Sequence, residues 1–427
     1  MQLKYGLDEH PPLWELILFG LQWFAVTIPI IVIIGKVTAG LQFTAPEDEI
    51  VYLQKLTFVM AAALLVQVLA GHRLPLIIGP SSILLIGIIA SHGLGADSIY
   101  TSILLGGILL SLLSVTGLFA HLQRLFTTRI VAVVLLLIAF TLAPTILHLV
   151  MSPRSGSGPL ANISFALVLV FAMFFSYRHL RGIWKSTLII WAMIAGSLLY
   201  LVLFPGPPVL EHFQDNRLLG GFFRQVTSGL TLNAGVLISF LFCFIALSVN
   251  DLGSIQSMNE ILKPSGQPQR ITRGIFITGL ANILAGFFGV IGPVNFSLSP
   301  GVLASTGCAS RFTLIPAAVL LCLISFSPAV IALLGNVPSV VIGCVLLFIM
   351  CSQFGAGLSI LFESAEGFHI ETGMIIGLPI LLGTIIAFLP ADILNAFPAV
   401  LRPILGNGFV VGISAALVLE HLVFRDP

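Results

Sequence analysis

A polytopic all-α membrane protein with fourteen transmembrane segments is what this sequence predicts, on three observations. Apolar runs of roughly twenty residues, the length a spanning helix needs, recur from one end of the chain to the other. Residues 131–151, 186–204, 314–334 and 340–361 contain no Asp, Glu, Lys or Arg. Charged residues make up only 8% of the 427 positions and hydrophobic ones 58%, too little polarity to clothe a water-soluble body of this size. Only helices and closed barrels satisfy their backbone groups in lipid, and continuous rather than alternating runs select helices.

Twelve full spans are expected near 13–35, 53–71, 98–120, 127–151, 161–178, 183–204, 231–257, 271–290, 312–335, 338–361, 371–390 and 404–423. Two shorter, interrupted segments fall near 75–92 and 293–309. At its N-terminus the chain reads Lys4-Tyr5-Gly6-Leu7-Asp8-Glu9, polar and mixed in charge, with no small-residue cleavage site. The first span is therefore expected to stay and act as its own insertion signal. Basic residues set the orientation. With fourteen crossings and an inside N-terminus, Lys4, Arg73, Arg124, Arg129, Arg178, Arg181, Lys185, Lys263, Arg270, Arg273, Arg311 and Arg425 lie inside. Lys36, Lys55, Arg154, Arg217, Arg224 and Arg402 lie outside, so the 18 basic residues divide 12 to 6. That favours both termini on the cytoplasmic side of the cell (inner) membrane.

The polar gaps are short: 40–49 and 152–159 outside, 263–273 inside, and 205–227 as the longest outer loop. A net charge of +1 argues against a nucleic-acid partner. The five cysteines sit in apolar runs without metal spacing, so they read as small core residues and imply no disulfide or metal. No phosphate-binding loop, zinc motif or nucleophile elbow is present, which speaks against a pump or an enzyme, and no cofactor is expected. Glu15, Glu363, Glu366, His369 and Glu371 read as interface or loop residues without catalysis.

The 205–227 loop leaves seven hydrophobic segments on each side, and an odd number per half gives the halves opposite orientation. That is the inverted-repeat plan of secondary transporters. The third segment of each half, segments 3 and 10 overall, is punctuated alike. One reads Leu74-Pro75-Leu76-Ile77-Ile78-Gly79-Pro80-Ser81-Ser82, the other Gly292-Pro293-Val294-Asn295-Phe296-Ser297-Leu298-Ser299-Pro300-Gly301. Each predicts an extended stretch, near 75–79 and 292–297, feeding a half-helix, with Ser299 expected to cap the second. Unpaired backbone at that depth is tolerated only beside a cavity or buried in protein. Two ordinary kinked helices are the plainer reading, and the matched ordinal position argues against it.

These residues, with Tyr5-Gly6-Leu7-Asp8, Gly279-Leu280-Ala281-Asn282, Gly286-Phe287-Phe288-Gly289, 338–343 and 397–403, carry a resemblance. The chain resembles the nucleobase–ascorbate transporters, the bacterial uracil and xanthine permeases, over nearly its whole length. Leu21-Gln22 falls where that family has Gln-His, and Trp23 stands at its helix-one histidine. The family motif Gln/Glu-Asn-x-Gly…Thr-Gly maps onto 298–307: Gly301, Thr306 and Gly307 are kept, but Leu298 and Ser299 replace the first two positions. The eighth-helix glutamate and the Asp or His four residues later map onto Asn250 and Ser254. The resemblance implies a core domain of segments 1–4 and 8–11 (residues 1–125 and 231–336) moving against a gate domain of segments 5–7 and 12–14 (126–204 and 337–427). An extracytoplasmic loop, 205–230, connects the halves, and a homodimer is implied. Family members bind a nucleobase edge and couple to protons or sodium.

The candidate substrate-binding residues are Asn250, Ser254, Ser81, Ser82, Asn295, Phe296, Ser299 and Gly301. Two half-helix N-termini would present backbone amides of Ser82 and Gly301 to a carbonyl oxygen or an anion. Lone serines in such helices often bond back to their own backbone instead. Asp251 is placed well within a span, where a carboxylate defaults to a functional reading, here ion coupling with H+ or Na+; structural pairing with a residue such as Asn282 is the alternative. The expected partners are a small-molecule substrate and the lipid bilayer. Expected function is secondary transport of a uracil- or xanthine-like planar heterocycle by alternating access. A permease for a small anion on the same 7+7 scaffold is the rival, and a receptor or scaffold has only the lost motif behind it.

Overall fold

The structure is a computed structural model that describes residues 4–117, 127–152, 158–205, 227, 229–296, 299, 302–303, 307–362, 370–398 and 401–424. Its first half runs α1 (Leu13–Gln42), α2 (Pro46–Leu69), strand β1 (Ile78–Pro80), α3 (Ser82–Ala90), α4 (Ala96–Thr116), α5 (Thr128–Thr141), α6 (Ala143–Met151), α7 (Pro159–His179), α8 (Ile183–Ser186) and α9 (Leu188–Leu203). The second half runs α10 (Ala234–Leu262), α11 (Gln267–Phe288), strand β2 (Pro293–Asn295), α12 (Leu314–Ser325), α13 (Pro328–Gly335), α14 (Ser339–Phe362), α15 (Ile370–Ala387), α16 (Ala391–Ala396), α17 (Arg402–Leu405) and α18 (Gly408–Val418). Among the described residues nine helices are long and apolar enough to cross a membrane, ten if one bent pair counts as a span.

The extended stretches occur where the Pro/Gly punctuation put them, and they pair. β1 and β2 are antiparallel, with Ile78 opposite Asn295, Gly79 opposite Val294 and Pro80 opposite Pro293. Two prolines cannot donate, so flanking groups complete the ladder. Ser81 N–H reaches Gly292 O at 2.9 Å and Phe296 N–H reaches Ile77 O at 2.9 Å. Ile291 N–H finds the Tyr52 hydroxyl at 3.0 Å and Ile77 N–H the Ser299 Oγ at 2.8 Å. Every one of these groups is buried, so each lost partner would cost about 1–3 kcal/mol.

Several expected boundaries change. The 312–335 span is two helices bent by 102° between Ser325 and Pro328. Pro328 opens α13, and Ser327 caps it by accepting from Val330 N–H. The residue before a proline is driven out of the helical region, which breaks the run. The 40–49 loop shrinks to three residues, because α1 continues to Gln42 and Pro46 starts α2 from its N1 position. The last span starts at Gly408 under an Asn407 cap. Cys243, Cys308 and Cys344 are buried as expected of core residues, whereas Cys351 is exposed.

Helix α4 lies backbone to backbone on α11. A Cβ on Gly107 would stand 2.7 Å from Gly279 O, and one on Gly286 2.7 Å from Tyr100 O. Without a hydrophobic drive between helices in lipid, such close approach through small residues supplies the packing. The N-terminal strap docks on the loop before α12: Lys4 N–H bonds Gly307 O at 2.7 Å, and Arg311 pairs with Asp8 at 2.7 Å.

Candidate functional site

The middle of α10, the start of β2 and the turn after α2 converge on one buried polar network. Asp251 is fully buried, 0% exposed. Its Oδ1 accepts from Asn295 N–H at 2.9 Å and from Asn295 Nδ2 at 2.7 Å, and its Oδ2 accepts from Thr278 Oγ1 at 2.8 Å. Among the described residues no basic side chain pairs with it.

The network extends through neutral groups. Leu74 N–H donates to His72 Nδ1 at 2.9 Å, so the histidine proton sits on Nε2 and points at Asn295 Oδ1, 3.1 Å away. Gln67 accepts from His72 N–H at 3.2 Å, and its Nε2 donates to Gly274 O at 2.7 Å and Thr278 Oγ1 at 3.1 Å. Arg270 caps the outer end by donating to the His72 and Arg73 carbonyls at 3.1 and 2.9 Å. Thus α2, β2, α10 and α11 are tied together by side chains that each have a partner. A satisfied network of this kind rigidifies and specifies its surroundings.

The predicted residues divide. Ser254 joins Asp251 and Asn295, its Oγ donating to Asn295 O at 3.0 Å as well as back to Asn250 O. Asn250 lies four residues along the same helix, half-buried. Ser81 caps α3 by accepting from Leu84 N–H, with Ser82 as the first helical residue. Ser299 Oγ accepts from Ile77 N–H on the facing stretch; the first positions of its own half-helix, 300 and 301, lie outside the described residues. The Phe296 ring is buried against Gly79, where a Cβ would lie 2.7 Å from Cε2, so it packs the two strands together. Gly301 lies outside the described residues, as do Glu363, Glu366 and His369. The structural partners of Asp251 are Asn295 and Thr278; Asn282 instead donates to the Thr278 and Pro293 carbonyls at 2.8 and 3.0 Å. Trp23, at the position of the family histidine, donates Nε1–H to Thr313 Oγ1 at 2.9 Å and is buried.

Sequence reasoning missed Gln67, His72 and Thr278. The available signal was a polar side chain interrupting each apolar run, which by itself does not say which other interruption it meets. It expected a cavity at the half-helix ends and did not foresee the lining of the one the fold forms. A space of about 800 Å³ opens between Val26 of α1 and Val302 on one side and α7, α8, α9 and α14 on the other. Its rim carries Arg178, Arg181 and Lys185, and Asn250, Asp251 and Ser254 are not among its lining residues.

Comparisons with known proteins come to bear on this geometry. The Xan_ur_permease model, described as "Permease family", matches residues 14–392. The chain is 26% identical over 430 residues to the "Putative purine permease YwdJ" of Bacillus subtilis (strain 168), covering 95% of this chain and 96% of that one. It is 25% identical over 407 residues to the "Xanthine permease" of the same organism, covering 93% and 89%. Among solved structures, the transmembrane domain of a cyanobacterium bicarbonate transporter, BicA, superposes with a TM-score of 0.60 at 15% identity, covering 90% of this chain and 98% of that one. At that identity the likeness is one of fold.

Proposed function

This chain belongs to the Xan_ur_permease family, a family of multi-pass membrane permeases rather than enzymes, and from that premise we propose that it carries a purine or similar planar nucleobase across the membrane by alternating access. The observation that carries the reading is full-length similarity to a purine and a xanthine permease. Fourteen segments arranged as a 7+7 inverted repeat accommodate the described helices together with the paired β1 and β2, which stand in the third segment of each half.

The division into core (1–125 and 231–336) and gate (126–204 and 337–427) gains support from the cavity, whose lining residues come from both sets. A space between two bodies is where a substrate is bound and released when one rocks against the other. In this reading the substrate moves from the cavity to Asn250 and Ser254 on α10 and the half-helix ends near Ser82 and Ser299, which stand outside the cavity's described lining. Both termini are placed inside, and the protein works as a homodimer.

Asp251 is the coupling site we favour, for a proton. Three neutral donors hold its carboxylate, and among the described residues no cation compensates it, so taking up a proton neutralises a buried charge. If that is right, Asp251→Asn abolishes the dependence of uptake on an imposed pH gradient while leaving substrate binding measurable. Gradient-dependent uptake surviving the change would make Asp251 purely structural.

A permease for a small anion remains the second reading, favoured by the three cationic side chains on the cavity rim and by Asn250 and Ser254 standing where the family has acidic groups. Uptake into proteoliposomes decides between them. Labelled xanthine, hypoxanthine and uracil should accumulate and compete with one another; transport of bicarbonate or sulfate with none of the bases would overturn the purine reading.

A further inference from the structure

The cavity has two unlike walls. Among the described residues one is apolar: Val26 of α1 and Val302 face it from the core side. The other carries three cations within eight positions, Arg178 at the end of α7, Arg181 in the turn, and Lys185 on α8. Among the described residues no carboxylate lines the space and none of the three cations is in an ion pair. Aromatic rings stand on the same wall as the cations. Tyr177 and Phe348 meet edge to face at 5.8 Å, and Phe174 and Phe348 lie 5.2 Å apart. Lys185 Nζ sits 4.1 Å from the Tyr177 ring centroid, which holds that cation against an aromatic face at the cavity wall.

A basic turn of this kind is expected on the inner side of any membrane protein as an orientation signal. Such a signal needs charge in a loop; it does not need the charges to line a cavity opposite an apolar wall. The pairing of cations with aromatic faces suits a ligand that is flat, apolar on its faces and negatively charged at its edge. Converging cations in a cleft with low-dielectric walls also raise the local concentration of anions.

Resting on the purine reading above, we infer that this cavity is a vestibule selecting the anionic form of a planar heterocycle, an oxopurine that has lost a ring proton, and that Arg178 and Arg181 supply the selection. The two guanidiniums act as charges at the mouth, and the aromatic wall receives the ring. A neutral purine of the same shape gains only the aromatic wall.

The test is equilibrium binding of two probes to the purified full-length protein at pH 7.5: urate, a monoanion there, and hypoxanthine, which is neutral. Two unit charges at roughly 6 Å in water together contribute about tenfold in affinity at low salt. Urate binding should therefore weaken about threefold as salt rises from about 0.02 to 0.5 M, because the Debye length shrinks from about 20 to about 4 Å and screens out most of that attraction, while hypoxanthine changes less than about twofold. Arg178→Gln with Arg181→Gln should reproduce the loss for urate alone, and Arg178→Lys with Arg181→Lys should restore it. If the glutamine variant does not fold, the salt series on the parent protein decides alone. Equal loss for both probes, salt-independent urate binding, or hypoxanthine binding without urate binding would overturn the vestibule and leave the basic turn as an orientation signal. Binding of neither purine would sink the purine reading first, and the vestibule with it.

Discussion

Replacing Asn295 by leucine keeps a side chain branched at Cγ, with a bulkier tip, and removes its amide from the centre of the buried network. Two bonds disappear. The first is the 2.7 Å bond from Nδ2 to Asp251 Oδ1, whose acceptor is a carboxylate; such bonds contribute about 1.5–3 kcal/mol. The second is the 3.1 Å bond from His72 Nε2, which strands a buried donor at about 1–3 kcal/mol. The backbone N–H of residue 295 keeps its bond to Asp251, so β2 stays anchored at one point. A chain unfolded within the bilayer finds other partners for its polar groups, so the net loss falls near the low end, about 2 kcal/mol. The assay is equilibrium unfolding of the purified protein by SDS titration in mixed micelles. It is read as a cycle with Asp251→Asn, a change that makes the acceptor neutral. Charge-assisted bonds are roughly twice as strong as neutral ones, so Asn295→Leu should cost about 1 kcal/mol less in that background. Additivity of the two changes within about 0.3–0.5 kcal/mol would refute the network as a coupled unit.

Three further outcomes follow from the same geometry. Ser299→Ala should lower stability by about 1–3 kcal/mol in the same titration, because Ile77 N–H loses its partner between the strands; a change no larger than for an exposed serine such as Ser164 would show that the facing stretch relaxes. Gly292→Ala should cost about 1–3 kcal/mol by overpacking, since its Cβ would run into Asn282 Oδ1 beside Leu84; normal stability and uptake would mean that Asn282 swings aside freely. Asn250→Ala should weaken purine binding by calorimetry about 2- to 13-fold, the worth of one neutral hydrogen bond, and unchanged affinity would remove Asn250 from the site.

The segments and their breaks were legible because they are local. Hydropathy over one span decides whether it can sit in lipid, and Pro75, Gly79, Pro80, Gly292 and Pro293 disrupt helix wherever they fall. The extended stretches at Ile78–Pro80 and Pro293–Asn295 therefore stand where the sequence puts them. The 102° bend at Pro328 was less legible, because the hydropathy of 312–335 runs unbroken across it.

The partners of the polar groups were not legible. His72 meets Asn295 across 223 positions, and Ile77 meets Ser299 across 222. From the sequence, Ser299 beside Pro300 reads as the cap of its own half-helix. With β1 laid against β2, that hydroxyl also meets the buried Ile77 amide of the other half. Asp251 likewise reads as a lone carboxylate in an apolar run, and only the approach of β2 and α11 supplies its three donors. Arg178, Arg181 and Lys185 count in the sequence as inside charge; folding back against α1 and α14 turns them into the rim of a cavity. Burial is written into each segment's own composition, whereas the choice of hydrogen-bond partner depends on which segments pack together, and that is settled only once the whole chain has folded.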